Sequence, residues 1–487
     1  MKLIKKIAPA FIALSVLAGS LYADPDDLGD ISQRDQELEE RDWDALAQYL
    51  QSLRERKYKE VRGESGQGRD GQEDRLRDTG DDEDEEESEE DKEGDEEKDK
   101  EDDEPILLLS GDVRMDWRRK TETLNGHQLF GPNAIDSRGR RRGRNKFDVE
   151  FNLRLDYIQR WNWATIQLQF DNSAGIDDEI ECRKNTVNFF TGEPIIVCQK
   201  NELFGSGSCL DTCLKRAYFG FRLYDECDTT IDIEIGRRNL YQVFDSKVEF
   251  LSRFDGILFK YDTSFDWVGE YYVHAAAFVV DFRADHYAWV VETGLLDIRK
   301  TGIDLKYSLI DWRKNGRNRC FKRHPLGTEF VVSQVAGYYH MKPSCLNFNL
   351  PTVLFAAALV NQDAEPLVKF GLDSKQNFAW YAGVRFGEVR NKGDYAIGIM
   401  YQWVEAQSVP DPDMSGIGTG NVLDQYFYSE GAGNTNFKGW RIEGLYAFSD
   451  NISVDTRVQW SSRIKKFPFN PWSHSYSEFK TEVIYAF

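Results

Sequence analysis

The sequence predicts an all-β chain, a transmembrane, antiparallel up-and-down β-barrel of about 16 strands (14–18), preceded by an amino-terminal helix and an acidic tether. Three observations predict it. The last twelve residues, Tyr476 to Phe487, place Phe479, Thr481, Val483, Tyr485 and Phe487 at alternate positions, with Glu478, Lys480 and Glu482 between them. Alternating segments of this kind recur from Pro105 onward, and the links between them alternate between short and long. Tryptophan gathers near segment ends, where a water–hydrocarbon boundary would hold it: Trp161, Trp163, Trp267, Trp289, Trp312, Trp403, Trp460 and Trp472.

In chain order, residues 1–23 carry Lys2, Lys5 and Lys6, an apolar run from Ile7 to Leu21, and Leu21-Tyr22-Ala23 before a polar stretch, the pattern of a secretory signal cleaved after Ala23. Within 24–62, Leu38, Trp43, Leu46, Ala47, Leu50 and Leu53 form one narrow apolar stripe of helical spacing. A lone stripe is not satisfied in water, so the helix is expected to self-associate into a homo-oligomer or to pack on another envelope surface. Residues 63–104 are Gly-rich and then almost purely acidic, a tether without a core.

The net charge of −22 is concentrated in that amino-terminal region. Residues 24–104 hold 36 acids and 13 bases, and the signal adds three bases, so residues 105–487 come to only −2. Their function must be sought in local clusters, and no nucleic-acid partner is expected. Beyond the signal no apolar run exceeds the eight residues of Val353 to Val360, which excludes a spanning helix but not strands of ~9–11 residues.

Sixteen segments are predicted in the barrel, 105–487: 107–118, 146–158, 162–171, 214–223, 228–237, 255–263, 268–281, 288–296, 301–312, 328–340, 351–361, 377–388, 393–404, 436–448, 451–461 and 476–487. The second shows the period best, with Phe147, Val149, Phe151, Leu153, Leu155 and Tyr157 on one side and Asp148, Glu150, Asn152, Arg154 and Asp156 on the other. Short links such as 159–161 and 224–227 alternate with long ones such as 119–145 and 172–213, as periplasmic turns and external loops would. Two links fit less well: 282–287 is short for a loop and 341–350 long for a turn.

An even strand count puts both chain ends on one side. The final strand resembles the carboxy-terminal signal of bacterial outer-membrane β-barrels. This implies a place in the outer membrane of a Gram-negative-type bacterium, with the tail in the periplasm. It also implies contact with the barrel-insertion machinery through that strand, with the lipid bilayer and with lipopolysaccharide.

A barrel of this size is wide enough for an aqueous lumen, so inward residues become the candidate site. Parity turns Arg114, Arg154, Arg216, Arg222, Asp232 and Glu234 inward, with Asp112, Asp116 and the strand-closing Glu478, Lys480 and Glu482. Charges of both signs set up a transverse field that favours dipolar or hydroxylated solutes, or they neutralise one another and stiffen the wall. The run Gly236-Arg237-Arg238, followed by Tyr241 to Asp245 and by Phe254-Asp255-Gly256, resembles the alginate-export and related porin-like barrels. That resemblance implies that 239–253 is an external loop folded inward, with Arg237, Arg238, Asp245, Lys247 and Glu249 near the constriction. It implies a diffusion channel for small hydrophilic solutes.

Arg138, Arg140, Arg141, Arg142 and Arg144 in the first long link would attract anions, and give the channel reading its anion preference. The alternatives are an adhesin or structural envelope barrel with cysteine-cross-linked loops, and an exporter of anionic polysaccharide. Four of the seven cysteines, Cys182, Cys198, Cys209 and Cys213, fall in the second long link, with Cys182–Cys198 and Cys209–Cys213 as one of three possible pairings. No His lies beside Cys209 and Cys213, and the six histidines of the chain adjoin no catalytic motif, so no metal, cofactor or enzyme activity is expected.

Overall fold

Sixteen antiparallel strands close on themselves in the computed structural model. They are β1 (Ile106–Leu124), β2 (Asn145–Ile158), β3 (Asn162–Ser173), β4 (Asp211–Glu226), β5 (Thr229–Asn239), β6 (Arg253–Phe265), β7 (Gly269–Asp281) and β8 (His286–Leu296). The second half comprises β9 (Ile303–Asp311), β10 (Val331–Met341), β11 (Thr352–Asn361), β12 (Phe378–Glu388), β13 (Tyr395–Val404), β14 (Phe437–Ala447), β15 (Ile452–Arg463) and β16 (His474–Ala486). The structure describes the chain from Pro105 to Phe487 except for 131–144, 174–179, 188–193, 201–210, 282–285, 313–329, 342–349, 369–372, 411–412, 418–434 and 467–472 and positions 125, 227, 266 and 367. The signal, the helix and the acidic tether expected in 1–104 lie outside the described residues.

Each strand pairs with its sequence neighbours, and β1 closes the sheet by pairing with β2 on one side and β16 on the other. In that seam Asp112 faces Ala486 and Asp116 faces Glu482, and Phe487 exchanges both backbone hydrogen bonds with Gly111 at 3.0 and 3.1 Å. Closure removes the unpaired edges that an open sheet would present. At the two poorly fitting links the flanking strands pair directly with each other, β7 with β8 and β10 with β11. Additional pieces are a short strand, His127–Phe130, folded back on the end of β1, and a hairpin of Ile180–Val187 with Pro194–Lys200.

Period-two alternation sorts the side chains. Leu109, Phe219, Ile257, Leu305, Val335, Trp440 and Tyr485 stand exposed on the outer wall, a belt that hydrocarbon satisfies and water does not. The opposite parity points inward, and there the buried apolar cluster sits inside the barrel. Leu258, Phe278, Val290, Ile310, Val332, Leu359, Tyr381 and Val404, on strands β6 to β13, meet Leu240, Phe244, Val248 and Phe250 of the β5–β6 connection.

Candidate functional site

The β5–β6 connection, 240–252, is built into the lumen from its first residues. Asn239 is extended and the chain then makes a single 3-10 turn, Leu240–Gln242, in which Val243 and Phe244 both donate to the Leu240 carbonyl at 2.9 Å. That turn points Phe244 into the interior cluster, where it and Phe250 pack with ring centroids 5.6 Å apart. Upstream, Gly236 has φ +134°, and a Cβ there would lie 2.7 Å from the Tyr218 Cα, so only glycine fits between the two strands before the Arg pair.

Asp245 fastens the loop to three successive strands. Its amide donates to Glu292 Oε2 of β8 at 2.9 Å, its carboxylate receives Lys306 Nζ of β9 at 2.6 Å, and its carbonyl accepts from Gln334 Nε2 of β10 at 2.6 Å. Tyr272 donates to the other oxygen of Glu292 at 2.9 Å, and Lys306 stands over the Tyr338 ring at 5.1 Å. Further along, the Lys247 carbonyl accepts from Gln402 Nε2 of β13 at 2.6 Å. Since β13 lies seven strands beyond β6 in a sheet of sixteen, the loop spans close to half the circumference.

The remaining wall, β14 to β16 and β1 to β5, is charged. Arg114 pairs with Asp112 and stands 3.8 Å from Glu150, while Arg118 lies 3.0 Å from Asp116 and 3.5 Å from Asp148. Across the seam, Lys480 bridges Asp116 at 3.3 Å and Glu482 at 3.2 Å, and Arg457 reaches Glu478 at 3.3 Å. A bulge in β4, where Gln167 pairs with Arg216 but Leu168 with Leu214, turns both Lys215 and Arg216 to the interior. Lys215 lies 3.4 Å from Glu150. Arg216 has no ion pair among the described residues, although Arg154 and Arg238 are near enough to repel it and Tyr218 and Tyr241 flank it.

Arg154 pairs with Asp156 at 2.9 Å and Arg222 with Asp232 at 2.9 Å, while Glu234 receives Arg238, Lys260 at 2.8 Å and the Trp163 indole at 3.2 Å. Arg238 also stacks over Tyr218 at 4.4 Å. Asp245 is half-buried at the anchor, Lys247 half-buried, and Glu249 fully buried with its amide donating to Ser246 Oγ at 3.1 Å.

Arg237 is a correction. It lies on the outward face, in a bidentate pair with Asp255 at 2.7 Å on both arms, because β5 runs on to Asn239 and the period of two continues through the Arg pair. A second correction concerns Cys213. It belongs to β4, which begins at Asp211, and stands opposite Gln169 with its thiol free and accepting from Arg253 Nη1 at 3.3 Å, while Cys209, its partner in the expected pairing, lies outside the described residues. Cys182 and Cys198 are register partners across the hairpin. Cys209 and the arginines at 138, 140, 141, 142 and 144 lie outside the described residues.

Sequence reasoning missed Glu292, Tyr272, Gln334, Gln402 and Asp413. Glu292 carried a signal, being the one acid in the otherwise apolar run from Tyr287 to Leu296. The glutamines carried none, since an amide on a lumen face reads as ordinary alternation.

No protein-family model matches the chain, and no curated protein matches it. Solved structures that align with it include OprB of Pseudomonas putida at high pH, 10% identical over 82% of this chain and 97% of that one, with a TM-score of 0.43. OmpF of Salmonella typhi in complex with daunomycin is 12% identical over 78% of this chain and 97% of that one, with a TM-score of 0.41. A triple mutant of the Rhodopseudomonas blastica porin is 8% identical over 78% of this chain and 100% of that one, with a TM-score of 0.37. The architecture stated above rests on the strand ladders themselves.

Proposed function

We propose that this barrel is an outer-membrane channel through which small hydrophilic solutes diffuse, with a preference for anions. The observation that carries the reading is the loop 240–252, fastened at Asp245 and Lys247 to β8, β9, β10 and β13. It covers the apolar side of the lumen, and in this reading the solute path runs along the charged side. Solute shedding part of its hydration there meets fixed charges of both signs in place of lost water. The anion preference rests on Arg216, which a passing anion would pair with at no cost to an ion pair among the described residues.

The full-length protein, refolded into planar bilayers, is expected to give discrete conductance steps and a reversal potential of anionic sign in a KCl gradient. Arg216→Ala should move that potential toward zero. A correctly folded barrel, shown by heat-modifiable gel migration, that never conducts would overturn the channel. One observation favours a structural envelope role instead: the hairpin that sets Cys182 opposite Cys198 lies outside the sixteen-strand sheet, in a position suited to cross-linked external loops. A barrel that never conducts and migrates as a disulfide-linked species without reductant would establish that alternative.

A further inference from the structure

A second connection enters the lumen beside the first. The chain leaving β13 does not rise away from the barrel: Ala406, Gln407, Ser408, Val409, Asp413, Met414, Ser415 and Ile417 are all at most 1% exposed. Gln407 stitches the start of this segment to the β11–β12 rim. Its amide donates to the Gln376 carbonyl at 2.6 Å, its side chain donates to the Glu365 carbonyl at 3.0 Å and accepts from the Gln376 amide at 3.0 Å, and its carbonyl accepts from Asn361 Nδ2 at 2.8 Å.

The far end of the segment closes on loop 240–252. Asp413 receives three consecutive amides of that loop's returning limb: Phe250 on Oδ2 at 3.0 Å, Leu251 on the backbone carbonyl at 3.2 Å, and Ser252 on Oδ1 at 3.0 Å. Ser415 adds a backbone bond to the Val248 carbonyl at 2.9 Å. Gln402 joins both connections, donating to the Lys247 carbonyl and accepting from the Ile417 amide at 2.9 Å.

Two backbone features show that the fit is specific. Phe250 adopts φ +73°, a left-handed conformation that an aromatic residue holds only when its surroundings enforce it, and Asp413 holds the amide of that very residue. Gly416 has φ +77°, and a Cβ there would come within 2.6 Å of the Lys247 carbonyl. Val409, Met414 and Ile417 belong to the same apolar cluster as Phe244, Val248 and Phe250, so the two connections form one packed body.

We propose that residues 405–410 and 413–417, leaving β13, form a second constriction element and that Asp413 is the positioning residue that fixes the size limit of the passage, by clasping residues 248–252 in place. This rests on the channel reading. In it, loop 240–252 is held at the wall by Asp245 and on its returning limb by Asp413, and the width left to solute depends on both.

The test compares the full-length wild type with Asp413→Ala, Asp413→Asn and, as an independent disruption, Gly416→Ala. Single-channel conductance, open-channel noise and the largest sugar oligomer that swells proteoliposomes are read together. Asp413→Ala is expected to raise conductance by about two-fold, increase noise and admit a larger oligomer, because a freed loop samples wider positions. Asp413→Asn, with one acceptor oxygen in place of two, should fall between. Asp413→Ala and Gly416→Ala barrels that fold, migrate heat-modifiably and keep the wild-type conductance and size limit would overturn the proposal. Should the wild type carry no current, the channel reading fails and hydrogen exchange judges the clasp. Amides 248–252 exchanging about ten-fold faster in Asp413→Ala would uphold the clasp, and unchanged exchange would remove it.

Discussion

The two halves of the barrel's inner wall obey one geometric rule and differ in chemistry, one mostly apolar with Glu292 and Lys306 set in it to hold Asp245, the other mostly charged. On β6 to β13 the inward parity delivers Leu258, Val290, Ile310, Val332, Leu359 and Val404, all fully or nearly fully buried. On β14 to β16 and β1 to β5 the same parity delivers Arg441, Arg457, Lys480, Arg114, Asp116, Asp156 and Glu234. An apolar inner wall is unfavourable beside water, so it needs a cover, and the two inward connections supply it. A charged inner wall needs counter-charges instead, and neighbouring strands supply those in register. The difference shows why loop 240–252 leans to one side: the apolar half offers it a surface to cover, and the charged half is satisfied by its own ion pairs.

Substitutions in each half should therefore fail in different ways. The largest effect is expected for Arg114→Ala, which leaves Asp112 and Glu150 short of a buried cation and should cost about 3–5 kcal/mol, read by urea unfolding from vesicles, while moving ion selectivity toward cations. A loss below about 1 kcal/mol would mean that the charged half is not held by its ion pairs. Phe244→Ala removes an aromatic anchor of the cover and should cost about 3 kcal/mol. Its signature in bilayer recordings should be added noise without a change of selectivity, since no charge is touched.

The smallest effect is expected for Arg237→Ala. Its pair with Asp255 is partly exposed on the outer face, with side chains 39% and 54% accessible, so stability should fall by less than about 1 kcal/mol and selectivity should stay as it is. A clear loss of anion preference would return Arg237 to the lumen and break the assignment of faces.

How far the chain could be read follows from the range of each signal. Phe147 to Tyr157 announces a strand by itself, because alternation is set by each residue's immediate neighbours, and the same holds for all sixteen segments. Arg114, Arg154, Asp232 and Glu234 were placed inward by the same count. The resemblance puts Arg237 beside Arg238 at the constriction, whereas the parity that turns Asp232 and Glu234 inward sends Arg237 outward, and the structure follows parity. For Cys213 the boundary decides: β4 starts three residues before the predicted segment, which takes Cys213 out of the loop.

By itself, then, the sequence determined the barrel class, a strand number of about sixteen, the order of turns and loops, and the face of most wall residues. All of these follow from a period of two and from local turn chemistry. Only the tertiary structure decided where the loops go. Asp413 meets Phe250 across 163 positions of chain, and Asp245 meets Lys306 across 61. Closing the barrel brings those groups within hydrogen-bonding distance, and no local pattern along the chain encodes their meeting.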